Sequence, residues 1–262
     1  MVAVVTGAAR GIGRRVALTL AERGYAVAAN DLSPPEEVLV ELERIGVETL
    51  AIPGDVSDEE TVRGMVRDVV ENFGRIDVLV NNAGISAIVP AERTTLADWN
   101  RTLAVNLTGP FLMSREFGKE MLFQGSGSIV NISSIAGLLG ISDRAAYNTS
   151  KHGLIGLTRT LAAEWGGQGV RVNAVCPGWV KTEMDQEDQD SGGYTDADIE
   201  GRTPMGRFAR PEDIAQAVAF LAAPEQSGYV NGHTLSVDGG WYGDGSWESL
   251  RRHKRSEERR ET

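Results

Sequence analysis

One cysteine among 262 residues, Cys176, excludes an intrachain disulfide framework. Its apolar surroundings in VRVNAVCPG mark a buried thiol at a strand end rather than a nucleophile. Histidine is equally scarce: His152, His233 and His253 are scattered, and no His/Cys/carboxylate cluster has metal-ligand spacing, so no metal is expected. No window approaches the roughly 18 consecutive apolar residues of a membrane span. Met1 runs directly into VAVVTGAARG without a basic segment and apolar core, so the expected location is cytoplasmic, with no membrane partner. Positive charge is in deficit, 26 Lys and Arg against 37 Asp and Glu for a net charge of −11, which leaves only a local patch for nucleic acid. The single basic run, LRRHKRSEERRET, alternates Arg251, Arg252, Lys254, Arg255, Arg259 and Arg260 with Glu257, Glu258 and Glu261. It reads as a solvated or frayed helix rather than a DNA-binding arm, and no nucleic-acid partner is expected.

What the chain does have is 41% hydrophobic residues, arranged as short β-branched runs alternating with longer stretches of helical period. The runs VAVVT, AVAAN, ETLAI and IDVLVN precede helical stretches at 11–23, 35–45, 58–73 and 95–122. SIVNIS, a helix at 145–166, VRVNAV, a helix at 211–222 and HTLSV complete the series. This alternation predicts an α/β fold with a seven-stranded parallel sheet whose strands are buried on both faces. One domain is expected over residues 1–242, followed by a charged extension at 243–262. Residues 183–203, EMDQEDQDSGGYTDADIEGRT, contain Gly192 and Gly193 and little apolar periodicity, which predicts a mobile excursion.

VAVVTGAARGIG is a strand, then Gly7, Gly11 and Gly13, then a helix starting near Ile12. Such glycines permit a tight turn and close approach of backbone to a pyrophosphate, which the helix N-terminus can hold. The spacing departs from G-x-G-x-x-G, and a glycine loop alone often marks only a turn. Further along, AVAANDLS ends the second predicted strand at Asp31. A carboxylate there accepts hydrogen bonds from ribose hydroxyls and repels a 2′-phosphate, so NAD is expected ahead of NADP. Arg10, beside the glycines, pulls the other way, but it can swing to solvent.

TGAARGIG, NNAG at 81–84, ISS at 132–134, YNTSK at 147–151 and PGWVKT at 177–182 occur in this order, and with them residues 1–242 resemble the short-chain dehydrogenases/reductases. The resemblance implies a doubly wound Rossmann-type domain, strand order 3-2-1-4-5-6-7 and a homotetramer. It also implies roles for matching positions. Asp55 and Val56 match the adenine contact. Asn81, Asn82, Ala83 and Gly84 match the stretch that flanks the adenosine ribose and supports the sheet. Pro177, Gly178, Val180 and Thr182 match the nicotinamide side, with Thr182 on the carboxamide. Asn106, Ser134, Tyr147 and Lys151 match the catalytic tetrad, Asn106 interrupting a helix to hold a water beside the lysine.

Removing an alcohol proton near neutral pH requires a base, and a free tyrosine with a pKa near 10 is almost wholly protonated. Lowering it by about three units needs about 4 kcal/mol, which an ammonium about 4 Å away supplies at an effective dielectric near 20. Tyr147 and Lys151, four residues apart, would share one helical face. Alone, that spacing fits a surface pair equally well. Ser134 can position the substrate oxygen, and Lys151 has donors enough to reach the nicotinamide ribose and a water. The implied reaction is reversible hydride transfer between NAD and a secondary alcohol/ketone pair.

The substrate pocket is expected from Ile85–Pro90, Ile135–Ile141 with Leu138 and Leu139, Trp179, Asp143 and the acidic excursion. The eight carboxylates between Glu183 and Glu200 would repel an anionic substrate or an acidic carrier protein, or serve only to solubilise the surface. Gln124, Gly125 and Gln168 stand where carrier-protein ketoreductases of the family carry basic residues. A free sugar, polyol or other small hydroxy compound is therefore expected. The alternatives are 3-oxoacyl reduction on a carrier protein or coenzyme A, and a cofactor-bound scaffold without activity. Near the end, Val218, Phe220 and Leu221 could serve either the core or a subunit contact. Trp241, Trp247 and Leu250 could anchor the extension on a neighbouring subunit, with disorder the simpler reading.

Overall fold

The computed structural model describes residues 1–190, 194–247 and 250; the basic run at 251–262, Gly192 and Gly193 lie outside them. Seven strands form one parallel sheet: β1 (Val2–Val5), β2 (Ala26–Ala29), β3 (Thr49–Ala51), β4 (Val78–Asn81), β5 (Gly127–Ile132), β6 (Val170–Pro177) and β7 (Thr234–Val237). Their order is 3-2-1-4-5-6-7, as expected. Period-two alternation sends Ala3, Val5, Val78 and Val80 to one face and Val2, Val4, Leu79 and Ile129 to the other.

Each face is covered by helices that connect the parallel strands. On the first lie α1 (Gly11–Glu22), α2 (Glu36–Ile45) and α9 (Pro211–Ala222), contributing Val16, Leu20, Leu42, Ile214 and Val218. On the second lie α3 (Glu59–Phe73), α5 (Gly109–Gln124) and α6 (Ala145–Trp165), contributing Met65, Val69, Met113, Phe117 and Leu161. The chain runs outward from β1 through β2 to β3, then crosses back to place β4 on the other side of β1. This switch point opens a crevice at the carboxyl ends of the strands, the place where sheets of this kind take a ligand.

The predicted helix over 95–122 is divided. After α4 (Leu96–Leu103), the backbone widens into a π-helical turn at Ala104–Thr108 before α5 begins. The acidic segment also departs from expectation: Glu183–Asp190 is a helix, α7, and Asp196–Arg202 another, α8. Apolar period missed them because their support is polar. Thr195 caps α8 in a reciprocal capping box with Asp198, and α7 is tied down by ion pairs. A short helix, α10 (Pro224–Ser227), follows α9. In α9, Val218 and Leu221 are fully buried and belong to the core, whereas Phe220 is half-exposed at 37%. Among the described residues no helix is long and apolar enough to cross a membrane.

Candidate active site

At the end of β1 the loop adopts positive φ at Gly7 and Gly11. A Cβ on Gly13 would stand 2.0 Å from the Gly7 carbonyl oxygen and 2.4 Å from Asn82 Nδ2, so α1 can close onto the loop only through a glycine. The NNAG stretch is bolted to the same loop: Thr6 Oγ1 accepts from the amides of Asn82 and Ala83, both at 2.9 Å. Asn82 Nδ2 donates to the carbonyls of Thr6 and Gly7. Asn81 faces the interior, donating to Asn131 Oδ1 at 2.8 Å and Ser114 Oγ at 3.0 Å, which ties β4 to β5 and α5. The α1 N-terminus begins at Gly11 without a side-chain cap from Arg10, so its first amides point into the crevice as an anion cradle.

At the tip of β2 the Asp31 carboxylate accepts from the Ala9 amide at 3.0 Å and the Leu32 amide at 2.9 Å. It is thereby fixed beside the loop. Arg10 turns away from it and pairs with Glu187 of α7 at 2.7 Å, both side chains more than half exposed. A backbone cradle that a Cβ would fill, with a fixed carboxylate at its ribose end, fits an adenine dinucleotide.

Around the centre, Lys151 is 4% exposed and its Nζ donates to the Ile132 carbonyl at 2.8 Å, 5.6 Å from the Tyr147 ring centroid. Burial among apolar groups pulls its pKa down to about 8. Tyr147 is half-buried, and desolvation pushes its hydroxyl upward despite the opposing influence of Ser134 and the Arg144 charge. The expected lowering of the phenol is therefore not met in this structure, because desolvation outweighs the Ser134 hydrogen bond and the Arg144 charge. Asn106 is fully buried in the π-turn: Oδ1 accepts from the Ile85 amide and Nδ2 donates to the Ile85 carbonyl, both at 2.9 Å. It clamps the loop that follows NNAG rather than reaching into the crevice, while Nδ2 also donates to Ser150 Oγ at 3.2 Å.

One cavity of about 430 Å³ joins these parts. All the predicted cofactor-side residues line it except Gly13, which serves helix packing, and Asn81, which faces the interior, and Ser134, Tyr147 and Lys151 line it as well. Asn106 stands behind the wall. On the substrate side the expected Ile85, Ser86, Ile141 and Trp179 are present, with Asp185, Asp188 and Tyr194 from the acidic segment. Ile135, Leu138, Leu139 and Asp143 are not; Ile135 is fully buried in the core.

The residue that sequence reasoning missed is Arg144, only 6% exposed. Its Nη1 donates to Ser86 Oγ at 2.6 Å and its Nη2 to Asp188 Oδ2 at 2.8 Å. The guanidinium carbon lies 5.9 Å from the Tyr147 ring and 5.5 Å from the Trp179 ring. Trp179 in turn stacks on Tyr194 at 5.4 Å and 9° and meets Trp241 of the same chain at 5.6 Å. Trp241 thus packs within its own chain, while Trp247 is 68% exposed. Part of the acidic segment's charge is paired locally. Arg10, Lys181 and Arg144 pair with Glu187, Asp185 and Asp188.

Comparison with known proteins agrees with this layout. A family model described as enoyl-(acyl carrier protein) reductase matches residues 7–242. A D-threitol dehydrogenase of Mycolicibacterium smegmatis is 44% identical over 243 residues, 92% of each chain. A 3-oxoacyl-[acyl-carrier-protein] reductase of Synechocystis is 39% identical over 242 residues, 91% of this chain and 96% of the relative. A candidate NAD(P)-dependent gluconate 5-dehydrogenase from Beutenbergia cavernae, solved with NADP at low occupancy, superposes with a TM-score of 0.87 at 42% identity, covering 93% of this chain and 97% of that one. With the ordered motifs, the sheet order and the Ser134, Tyr147 and Lys151 cavity on one scaffold, the chain belongs to the short-chain dehydrogenase/reductase family.

Proposed function

We propose that this oxidoreductase interconverts a free secondary alcohol, a sugar, polyol or other small hydroxy compound, and its ketone, with NAD preferred over NADP. The observation that carries the substrate reading is the wall facing Tyr147: Arg144, Ser86, Asp188 and Asp185 are charged or hydroxylated and line the cavity beside it. Such a wall matches a polyhydroxylated molecule better than an acyl chain. The cofactor reading rests on Asp31, held by two backbone amides, and on Arg10 engaged with Glu187. The competing preference has its own support in the NADP of the Beutenbergia structure.

Bound NAD would accept the hydride from the alcohol carbon. Gly7, Gly11 and the α1 amides would hold its pyrophosphate, Asp31 its adenosine ribose, Asp55 and Val56 its adenine, and Thr182 its carboxamide. Ser134 would hold the reacting oxygen, and Tyr147 Oη would receive the hydroxyl proton, so the alcohol loses one hydride and one proton. Lys151 would steady the developing phenolate, and Asn106 would fix the turn beside it. A homotetramer is part of this proposal, supported by family membership and the exposed apolar Phe111 and Phe220.

Initial rates of NADH formation against sugars, polyols, aliphatic secondary alcohols and 3-hydroxyacyl thioesters, with NADP in parallel, test the proposal. Turnover of free hydroxy compounds with NAD is expected, and Tyr147→Phe should lower kcat/KM by about 10³-fold or more. Activity confined to thioesters, or to NADP, would overturn the substrate or the cofactor assignment respectively.

A further inference from the structure

Arg144 is a charged group buried in the reaction cavity, and the proposed chemistry does not use it. It stands in the turn that opens α6, three residues before Tyr147, and its planar head faces both the Tyr147 and Trp179 rings. Of its five N–H donors, those engaged among the described residues reach Ser86 and Asp188. Asp188 is itself only 14% exposed, so a permanent cation and a carboxylate lie side by side in the wall next to the catalytic tyrosine. Burying such a pair brings little net stability, since desolvation offsets the attraction.

We propose that the Arg144–Asp188 pair reads a hydroxyl on the carbon adjacent to the one being oxidised, which makes vicinal diols the preferred substrates. The inference rests on the free-alcohol reading above and sharpens it. A hydroxyl both donates and accepts, and the pair offers a donor and an acceptor together. Ser134 and Tyr147 hold the reacting oxygen while the guanidinium, packed against the Tyr147 ring, meets the next one. A hydroxy-acid anion suits the site less well. Arg144 already carries a buried counter-charge, and a substrate carboxylate would have to displace Asp188 in a cavity that also contains Asp185. The pair is therefore a neutral, two-sided polar grip rather than an anion hole.

The test compares kcat/KM for butane-2,3-diol, butan-2-ol and 2-hydroxybutanoate with NAD in the full-length protein. The wild type should prefer the diol over the mono-alcohol by roughly 10- to 100-fold, the span of a buried hydrogen bond to a charged group. Arg144→Met and the nearly isosteric Asp188→Asn should each lower turnover of both alcohols and shrink that ratio to within about threefold. Arg144→Lys, which keeps the charge, should retain part of the preference. A purely structural role would reduce both alcohols in parallel and leave the ratio intact, which would overturn the proposal. Preference for the hydroxy acid, or equal wild-type rates on diol and mono-alcohol, would overturn it too. Absence of turnover on all three with either nicotinamide cofactor would instead remove the free-alcohol reading on which it rests.

Discussion

Between Gly7 and Asp31 the cavity wall is held by contacts to the main chain within the first 83 residues, whereas around Tyr147 it is held by charged side chains brought from distant segments. In the first region Gly13 touches the Gly7 carbonyl, Thr6 receives two amides and Asp31 two more. In the second, Arg144 reaches Ser86 across 58 residues and Asp188 across 44, and Lys151 is buried on a carbonyl of β5. The contrast matches the demands on each end. A dinucleotide presents the same pyrophosphate whatever the enzyme does, and a fixed backbone serves it. A substrate end built of side chains can be altered without disturbing the sheet.

The strongest way to break this comparison is to place a methyl group at Gly13. Because the obstacle is backbone, Gly13→Ala should cost about 3 kcal/mol in urea-induced unfolding, and a loss under about 1 kcal/mol would show the loop to be pliable. Lys151 probes the other region. Its folded pKa of about 8 lies below the usual 10.5, so between those values the unfolded chain holds a proton that the folded chain has shed. Stability of the cofactor-free protein should therefore rise with pH through that window, the full cost being present below pH 8. Lys151→Met should remove this rising contribution and, at pH 7, unfold about 2 kcal/mol less readily while losing activity. A variant less stable than wild type at pH 7 would mean that the bond to Ile132 outweighs desolvation. The smallest effect belongs to the exposed Arg10–Glu187 pair: Glu187→Gln should change stability by less than about 1 kcal/mol and Tm by under about 2 °C in a scanning measurement.

The same division decides what could be read in advance. Glycines that need positive φ, β-branched runs buried on both faces and a Tyr/Lys pair at i and i+4 are local patterns, and they located the sheet, the loop and the tyrosine. The π-turn was not visible in periodicity because its clamp, Asn106 on Ile85, spans 21 residues. The helices of the acidic segment escaped for a related reason: α7 has no apolar stripe and depends on cations supplied by Arg10, Lys181 and Arg144. Arg144 itself lies in the plain string SDRAAY, where nothing local marks it as buried. Its position just before Tyr147, at the start of the helix that carries the proposed catalytic pair, was the one available hint.

The three ties of α7 differ in how much water surrounds them. Glu187 meets Arg10 in the open, at 62% and 56% exposure; Asp185 meets Lys181 with one partner buried; Asp188 meets Arg144 with the cation buried and the carboxylate only 14% exposed. Dissolved ions screen the first pair strongly and the last hardly at all, the Debye length being about 8 Å at physiological ionic strength. Added salt therefore loosens the helix from the glycine loop while leaving its grip beside Tyr147, so that α7 behaves as a strip fastened firmly along one edge and lightly along the other.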